Sequence, residues 1–232
     1  MTRKFRLIIG ALLVLLVALF IAYQSYVFIK LWWWTDHPPT TTAFMQSRLD
    51  VLREKDPQAK LKYQWVAYEK ISINLKRAII VAEDAKFSDH EGFDWEGIQK
   101  ALEKNKKKGK IVAGGSTISQ QLSKNLFLSG ERSAIRKSEE AIITLMLETT
   151  MDKERIFEIY LNVIEWGNGV FGAEAAAQHY YGVSAAGLSA EQAAKLAAMV
   201  PRPRFYDKNR NAPWLLKKSQ FILASMPQAQ LP

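Results

Sequence analysis

Cysteine is absent from the 232 residues, which excludes disulfide staples and thiolate metal sites and leaves the redox compartment open. Histidine is scarce. His37, His90 and His179 lie far apart without ligand spacing, so a zinc site has no donor set. Neither a dinucleotide-binding nor a P-loop glycine signature occurs, which excludes nucleotide binding through those loops. There is no internal repeat, and few segments alternate as strands do. What is left is a mainly α-helical chain.

Hydrophobic residues make up 48% of the sequence, enough for one domain with a core plus an appendage. The net charge of +9 calls for an anionic partner: nucleic acid, a phospholipid surface or a phosphorylated substrate. The appendage is the N-terminus. Arg3, Lys4 and Arg6 precede a run without charge from Leu7 to Ile29. A bilayer core needs about 20 apolar helical residues, so this run is long enough to span one. It continues into Lys30 and Trp32-Trp33-Trp34 without a small-residue cleavage site, and such aromatics suit the membrane boundary. The expectation is an uncleaved anchor over 7–29 behind a basic flank at 1–6. Positive flanks stay cytoplasmic, which places residues 31–232 on the other side.

A connector and juxtamembrane segment follows at 30–59, helix-free at His37–Thr42 with a short helix over Ala43–Val51, and a catalytic domain fills 60–232. Tyr63–Tyr68 reads as a strand or extended entry. Ser72 then caps a helix whose stripe is Leu75, Ala78, Ile79 and Ala82. That helix delivers Glu83 and Asp84 at its C-terminal end, where the dipole raises a carboxyl pKa. Lys100–Lys110 reads as a solvated loop, with contact to a lipid head group as the alternative. Ser116 is expected to cap the next helix, with Ile118, Leu122 and Leu126 buried and Thr117, Gln121 and Lys124 on a polar stripe. Gly114 and Gly115 leave its first N–H groups open to an anion.

Ser133 starts a third helix offering Ile135, Ile142, Leu145 and Met146 for burial, with Arg136, Lys137 and Glu140 on one face. An amphipathic helix over Glu154–Glu165, alanine-rich helices over Ala173–Tyr181 and Ala190–Met199, a rigid exit at Pro201–Tyr206 and a last helix over Trp214–Met226 complete the reading.

Four motifs then stand in order: Glu83-Asp84-x-x-Phe87-x-x-His90-x-Gly92; Gly114-Gly115-Ser116-Thr117-Ile118-x-Gln120-Gln121-Leu122-x-Lys124-Asn125; Arg136-Lys137-x-x-Glu140; and Tyr160-Leu161-Asn162-x-x-x-x-Gly167. Over about residues 60–207 the chain resembles the peptidoglycan glycosyltransferases, lysozyme-like enzymes that polymerise lipid II. Neither Ser-x-x-Lys nor Lys-Thr-Gly occurs, so it is similar to the monofunctional, biosynthetic members without a transpeptidase domain. Ser119 departs where threonine is usual, and Lys208 where proline is frequent.

The resemblance implies a lysozyme-like glycosyltransferase domain behind a single transmembrane helix. It implies Glu83 as the base that activates an acceptor hydroxyl, and Lys124, Arg136 and Lys137 as cations for the leaving pyrophosphate. Glu140 is expected to orient those cations and to help hold the pyrophosphate or a bridging metal. Asp84, Phe87, His90, Ser116, Thr117, Gln121 and Asn125 are expected to bind or position substrate. No cofactor is required by the pattern, though magnesium or manganese is compatible with it. The partners implied are lipid II, the growing glycan strand, the membrane, and cell-division or elongation proteins, at the inner membrane with the catalytic domain outside the cytoplasm. Two rivals remain. A lytic enzyme also uses two acidic residues, but a neutral glycosidic bond has no anionic leaving group to need these cations. A silent membrane scaffold would have no use for Glu83 and Glu140. Nucleic acid is excluded as a partner, because the basic residues lack interleaved exposed aromatics.

Overall fold

A computed structural model describes residues 3–110, 114–128 and 133–232; the first two residues of the basic flank lie outside them. The chain is mainly α. The long apolar run forms α1 (Arg3–Trp33), a single helix with almost no buried surface until its last third. It is long and apolar enough to cross a membrane.

Thr42 caps α2 (Ala43–Arg53) by accepting from Met45 N. Although α2 lies in the expected connector, it is docked onto the domain: Met45 is buried, and Arg48 Nε meets Glu165 Oε1 at 3.2 Å. The extended entry narrows to β1 (Lys62–Tyr63), and Tyr68–Lys70 is a turn of 3₁₀ helix. Ser72 caps α3 (Ile73–Glu83) as expected, and Leu75, Ala78 and Ile79 have no exposed surface.

The lysine run corrects the loop expected there. It is α4 (Trp95–Lys108), capped by Asp94 and stopped by Gly109 in the left-handed region at φ +63°. Glu96 bridges to Lys86 and Lys100, and Lys106, Lys107 and Lys108 sit where the helix dipole favours cations. Charge density suggested a loop because the run offers only Ala101 for burial.

The cap of α5 (Ile118–Phe127) is Thr117, one residue beyond the expected Ser116. Thr117 and Gln120 form a capping box, and Ile118, Leu122 and Leu126 are buried as expected. Ser133 does cap α6 (Ala134–Thr150). Its buried stripe is Glu140, Ile143, Thr144 and Leu147, however, while Ile135 and Leu145 are 83% and 54% exposed. The helix is rotated so that its polar functional face turns inward, which an apolar-stripe argument cannot find.

α7 (Lys153–Val163) buries Ile156, Ile159, Tyr160 and Val163. It leads into β2 (Glu165–Gly167) and β3 (Val170–Phe171); β3 pairs antiparallel with β2 and parallel with β1, giving the order β1-β3-β2. Two glycines allow close approach here. A Cβ on Gly167 would lie 2.3 Å from the Tyr180 hydroxyl, and one on Gly172 (φ +83°) would lie 2.6 Å from the Asn162 carbonyl oxygen. α8 (Ala173–Tyr181) and α9 (Ala190–Met199) match the expected bounds, the latter with the Ser189–Gln192 capping box. The proline-rich exit is itself a short helix, α10 (Pro203–Lys208), because Pro203 at its first position suits a helix start. α11 (Pro213–Ser225) buries Leu215 and Ile222 against α9 and α3.

Candidate active site

Three backbone devices assemble the site. α3 ends at Glu83, and its flanking Asp84 (7% exposed) reaches the start of α5, where Ile118 N donates to Asp84 Oδ2 at 3.0 Å. His90 Nε2 lies 3.1 Å from both Asp84 oxygens, so this nitrogen carries the proton and donates. Thr117 Oγ1 donates to Gly92 O at 2.7 Å, tying the first motif to the second. The α5 N-terminus expected to take an anion from outside is therefore occupied by the protein's own Asp84 and by Gln120, whose Oε1 accepts from Thr117 N at 3.1 Å.

Glu83 is half-buried. Gln121 Nε2 donates to its Oε2 at 2.8 Å, and the Gln121 Oε1 accepts from the Tyr160 hydroxyl at 3.0 Å. The amide is thus held from both ends and cannot flip without losing a bond. Burial pushes the Glu83 carboxyl above the usual carboxylate range, and Asp84 adds to this. The Gln121 hydrogen bond and the charges of Lys218 and Lys124 pull it back. Desolvation is the main cause of the raised pKa that the helix dipole alone was expected to supply.

On one side of Glu83 opens a cleft of about 590 Å³ lined by Gly114, Ser116, Gln120, Gln121, Lys124, Arg136, Lys137, Glu140, Val200 and Pro201. Within it Glu140 is 3% exposed and bonded by two cations: Arg136 Nη1 at 2.9 Å on Oε2 and Lys137 Nζ at 2.5 Å on Oε1. A buried carboxylate paired this way holds both cationic side chains in place while each keeps N–H groups for an anion. On the other side a cleft of about 240 Å³ is lined by Glu83, Asp84, Lys86, Asp94, Glu96, Lys100 and Gly114–Thr117.

Of the residues singled out from sequence, Glu83, Ser116, Gln121, Lys124, Arg136, Lys137 and Glu140 line the cationic cleft, and Glu83, Asp84, Ser116 and Thr117 border the smaller one. Phe87, His90 and Asn125 line neither. Phe87 has no exposed surface: its ring packs on Phe157 and sits under the Lys153 ammonium. Asn125 is 7% exposed. Sequence reasoning missed Gln120, Val200 and Pro201 in one cleft and Lys86, Asp94, Glu96 and Lys100 in the other. Gln120 and Lys86 stood inside motifs, and Lys100 and Pro201 inside segments read as a loop and a rigid exit; Asp94, Glu96 and Val200 carried no local signal of a site. Tyr160 was quoted in a motif without a role, and its bond to Gln121 supplies one.

For a divalent cation at Glu140 the donor set does not fit, because both Glu140 oxygens are engaged by cations; among the described residues no group of three or more His, Asp or Glu side chains is placed to hold a metal ion.

A desolvated carboxylate beside a cation-lined cleft is the equipment of an enzyme that deprotonates an acceptor while an anionic group leaves. The family model described as Transglycosylase matches residues 50–227. Several proteins called biosynthetic peptidoglycan transglycosylase are similar along nearly their whole length. That of Dechloromonas aromatica is 65% identical over 223 residues (95% of this chain, 96% of the relative). That of Methylobacillus flagellatus is 62% identical over 220 residues and that of Janthinobacterium 61% over 221, with the same coverage of both chains. The chain belongs to the transglycosylase family and is a glycosyltransferase.

Proposed function

We propose that this protein polymerises lipid II into β-1,4 glycan strands at the outer face of the inner membrane, releasing undecaprenyl pyrophosphate. The observation that carries this reading is the placement of Glu83, a desolvated carboxylate held by Gln121, at the junction of two clefts of which one is lined by cations. The acceptor 4-hydroxyl enters from the smaller cleft and the donor pyrophosphate lies in the cationic one.

Glu83 takes the hydroxyl proton as the acceptor oxygen attacks the donor's anomeric carbon. General-base assistance of this kind is worth roughly 10²–10⁴ in rate. The bond from that carbon to the pyrophosphate oxygen breaks on the opposite face, so an α-linked donor yields a β-linked product. The leaving group departs with the bonding electrons as an anion, which Arg136, Lys137 and Lys124 neutralise; the planar Arg136 fork grips two oxygens at once. Glu140 keeps the first two cations aimed. Asp84 and Thr117 border the acceptor cleft and, with His90, fix the start of α5 against the end of α3, and Phe87 and Asn125 support them from the core. Ser116 lies in both clefts and positions the reacting sugars. The chain divides into a cytoplasmic flank at 1–6, an anchor at 7–29, a joint at 30–59 and the catalytic domain at 60–232. The positive flank sets the orientation.

The test is polymerisation of labelled lipid II by the detergent-solubilised full chain beside Glu83→Gln. Muramidase-sensitive polymer from the parent, reduced at least about a hundredfold in the variant, is the expected result. Cleavage of finished strands without polymer would overturn the reading in favour of a lytic enzyme.

A further inference from the structure

Outside the clefts, a polar and apolar contact joins the long apolar helix α1 to α6 and α7 of the catalytic domain. Along α1 the buried residues are Gln24, Val27 and Leu31. With the buried Trp34 they fall at i, i+3, i+7 and i+10, one stripe of the helix. Gln24 is 8% exposed, and its Nε2 donates to Glu139 Oε1 on α6 at 2.8 Å. The far end of the helix is held by α7: Arg155 Nε donates to Trp34 O and Arg155 Nη2 to His37 O, both at 2.9 Å. Both carbonyls lie just past the end of α1, where the chain leaves the helix. The His37 ring also stacks on Trp33 at 3.7 Å between centroids. Two polar clamps about one stripe make a docked helix.

The height of this joint follows from counting. A hydrocarbon core of about 30 Å takes about 20 helical residues at a rise of 1.5 Å. Starting at Leu7, just past Arg6, such a span ends near Tyr26. Gln24 then lies about one half-turn inside the outer boundary, where a polar side chain requires a partner, and Glu139 is that partner. Glu139 immediately precedes Glu140 on α6, and Arg136 and Lys137 are within one turn of it. One turn is about 5.4 Å, and each headgroup layer is roughly 5–8 Å deep. In whichever direction α6 runs, the backbone of the cationic edge therefore lies within about one headgroup layer of the Gln24–Glu139 contact.

We propose that Gln24 and Glu139 are positioning residues that fix the depth of the Arg136–Lys137–Glu140 edge relative to the bilayer, so that the anchor acts as a ruler and not as a tether. The proposal rests on the reading that the site works on a lipid-linked pyrophosphate, whose depth the bilayer itself dictates.

The experiment uses the full chain in proteoliposomes with polyprenyl lipid II, and in detergent with a short-chain soluble analogue. A displacement of an ångström or so is costly in a preorganised site, so Gln24→Leu and Glu139→Leu are expected to raise KM for the bilayer substrate about tenfold. They leave kcat, and turnover of the soluble analogue, within about twofold; Glu139→Gln, which keeps an acceptor for Gln24, retains the parental KM. The cysteine-free background allows a second measurement. A Gln24→Cys, Glu139→Cys double variant joined by a short bifunctional maleimide is expected to cross-link in the membrane and to keep the parental KM. Unchanged KM in Gln24→Leu, an equal loss on both substrates, or failure of the pair to cross-link would overturn the proposal. A parent protein inactive on both substrates, with the cross-link still formed, would instead overturn the functional reading.

Discussion

The carboxyl of Glu83 is destabilised as an anion by burial, and the Gln121 amide offsets part of that cost. The rate of a base-dependent step rises with pH through the pKa of the base. In Gln121→Leu that pKa moves further up, so the acidic limb of the pH–rate profile shifts to higher pH and turnover near neutrality falls about tenfold. Tyr160→Phe leaves the amide unanchored at one end and is expected to shift the same limb by less. A stability consequence follows with opposite sign to activity. A carboxyl whose folded-state pKa is raised adds stability below its unfolded pKa and loses it as pH rises through the folded value. Glu83→Gln removes that loss. It is expected to melt at a higher temperature than the parent at pH 8 and to match it at pH 4, as read by thermal denaturation in detergent. A destabilised Glu83→Gln at pH 8 would show that the anion is compensated by groups other than those named.

At the scale of the element, α6 carries two separable jobs on one turn. Glu140 is buried with two partners of unequal exposure: the Arg136 side chain is 18% exposed and that of Lys137 49%. Removing the more enclosed partner leaves a less compensated charge. Arg136→Ala is therefore expected to cost about 2–3 kcal/mol of stability, and Lys137→Ala under about 1 kcal/mol because solvent screens it. On the proposed reading both variants are expected to lose polymerisation, so unfolding measurements are what separate them. The rotation of α6 is testable in the same way. Leu147, with no exposed surface, costs about 2–5 kcal/mol when changed to Ala, whereas Leu145→Ala at the exposed face stays within about 0.5 kcal/mol.

For the whole molecule, the anchor and the catalytic domain share one boundary. Arg155 bonds Trp34 O, His37 O and Glu158, spanning the end of α1 and the start of the segment that leads to α2. Arg155→Ala is expected to raise the rate of limited proteolysis within residues 35–42 several-fold in micelles, with α7 itself intact. Equal rates in parent and variant would show that the stripe Gln24, Val27, Leu31 and Trp34 holds the joint unaided.

Periodicity and caps are local, so they were legible in the chain: the uncharged run of α1, the Ser72 and Ser133 caps, the alanine-rich α8 and α9, and the spacing that puts Arg136, Lys137 and Glu140 on one face. The motifs likewise carry Glu83, Gln121 and the three cations in linear order. Other features depend on what lies opposite in space, and tertiary structure alone decided them. α4 is the exception among the misread elements, because its signals are local: Asp94 caps it, and Glu96 bridges Lys100 one turn on and Lys86 ten residues before. α6 turns its polar stripe inward because Ser123 meets Thr144 and the cleft meets Glu140. Asp84, a candidate ligand for substrate, borders the smaller cleft and also bonds His90 and the first turn of α5, partners 6 and 34 positions away. Glu139 reads as one more surface charge until Gln24, 115 positions away, arrives beside it. Backbone propensity acts over a few residues and is written in the order of the side chains. Burial and pairing act across the fold, and they exist only once the chain has closed on itself.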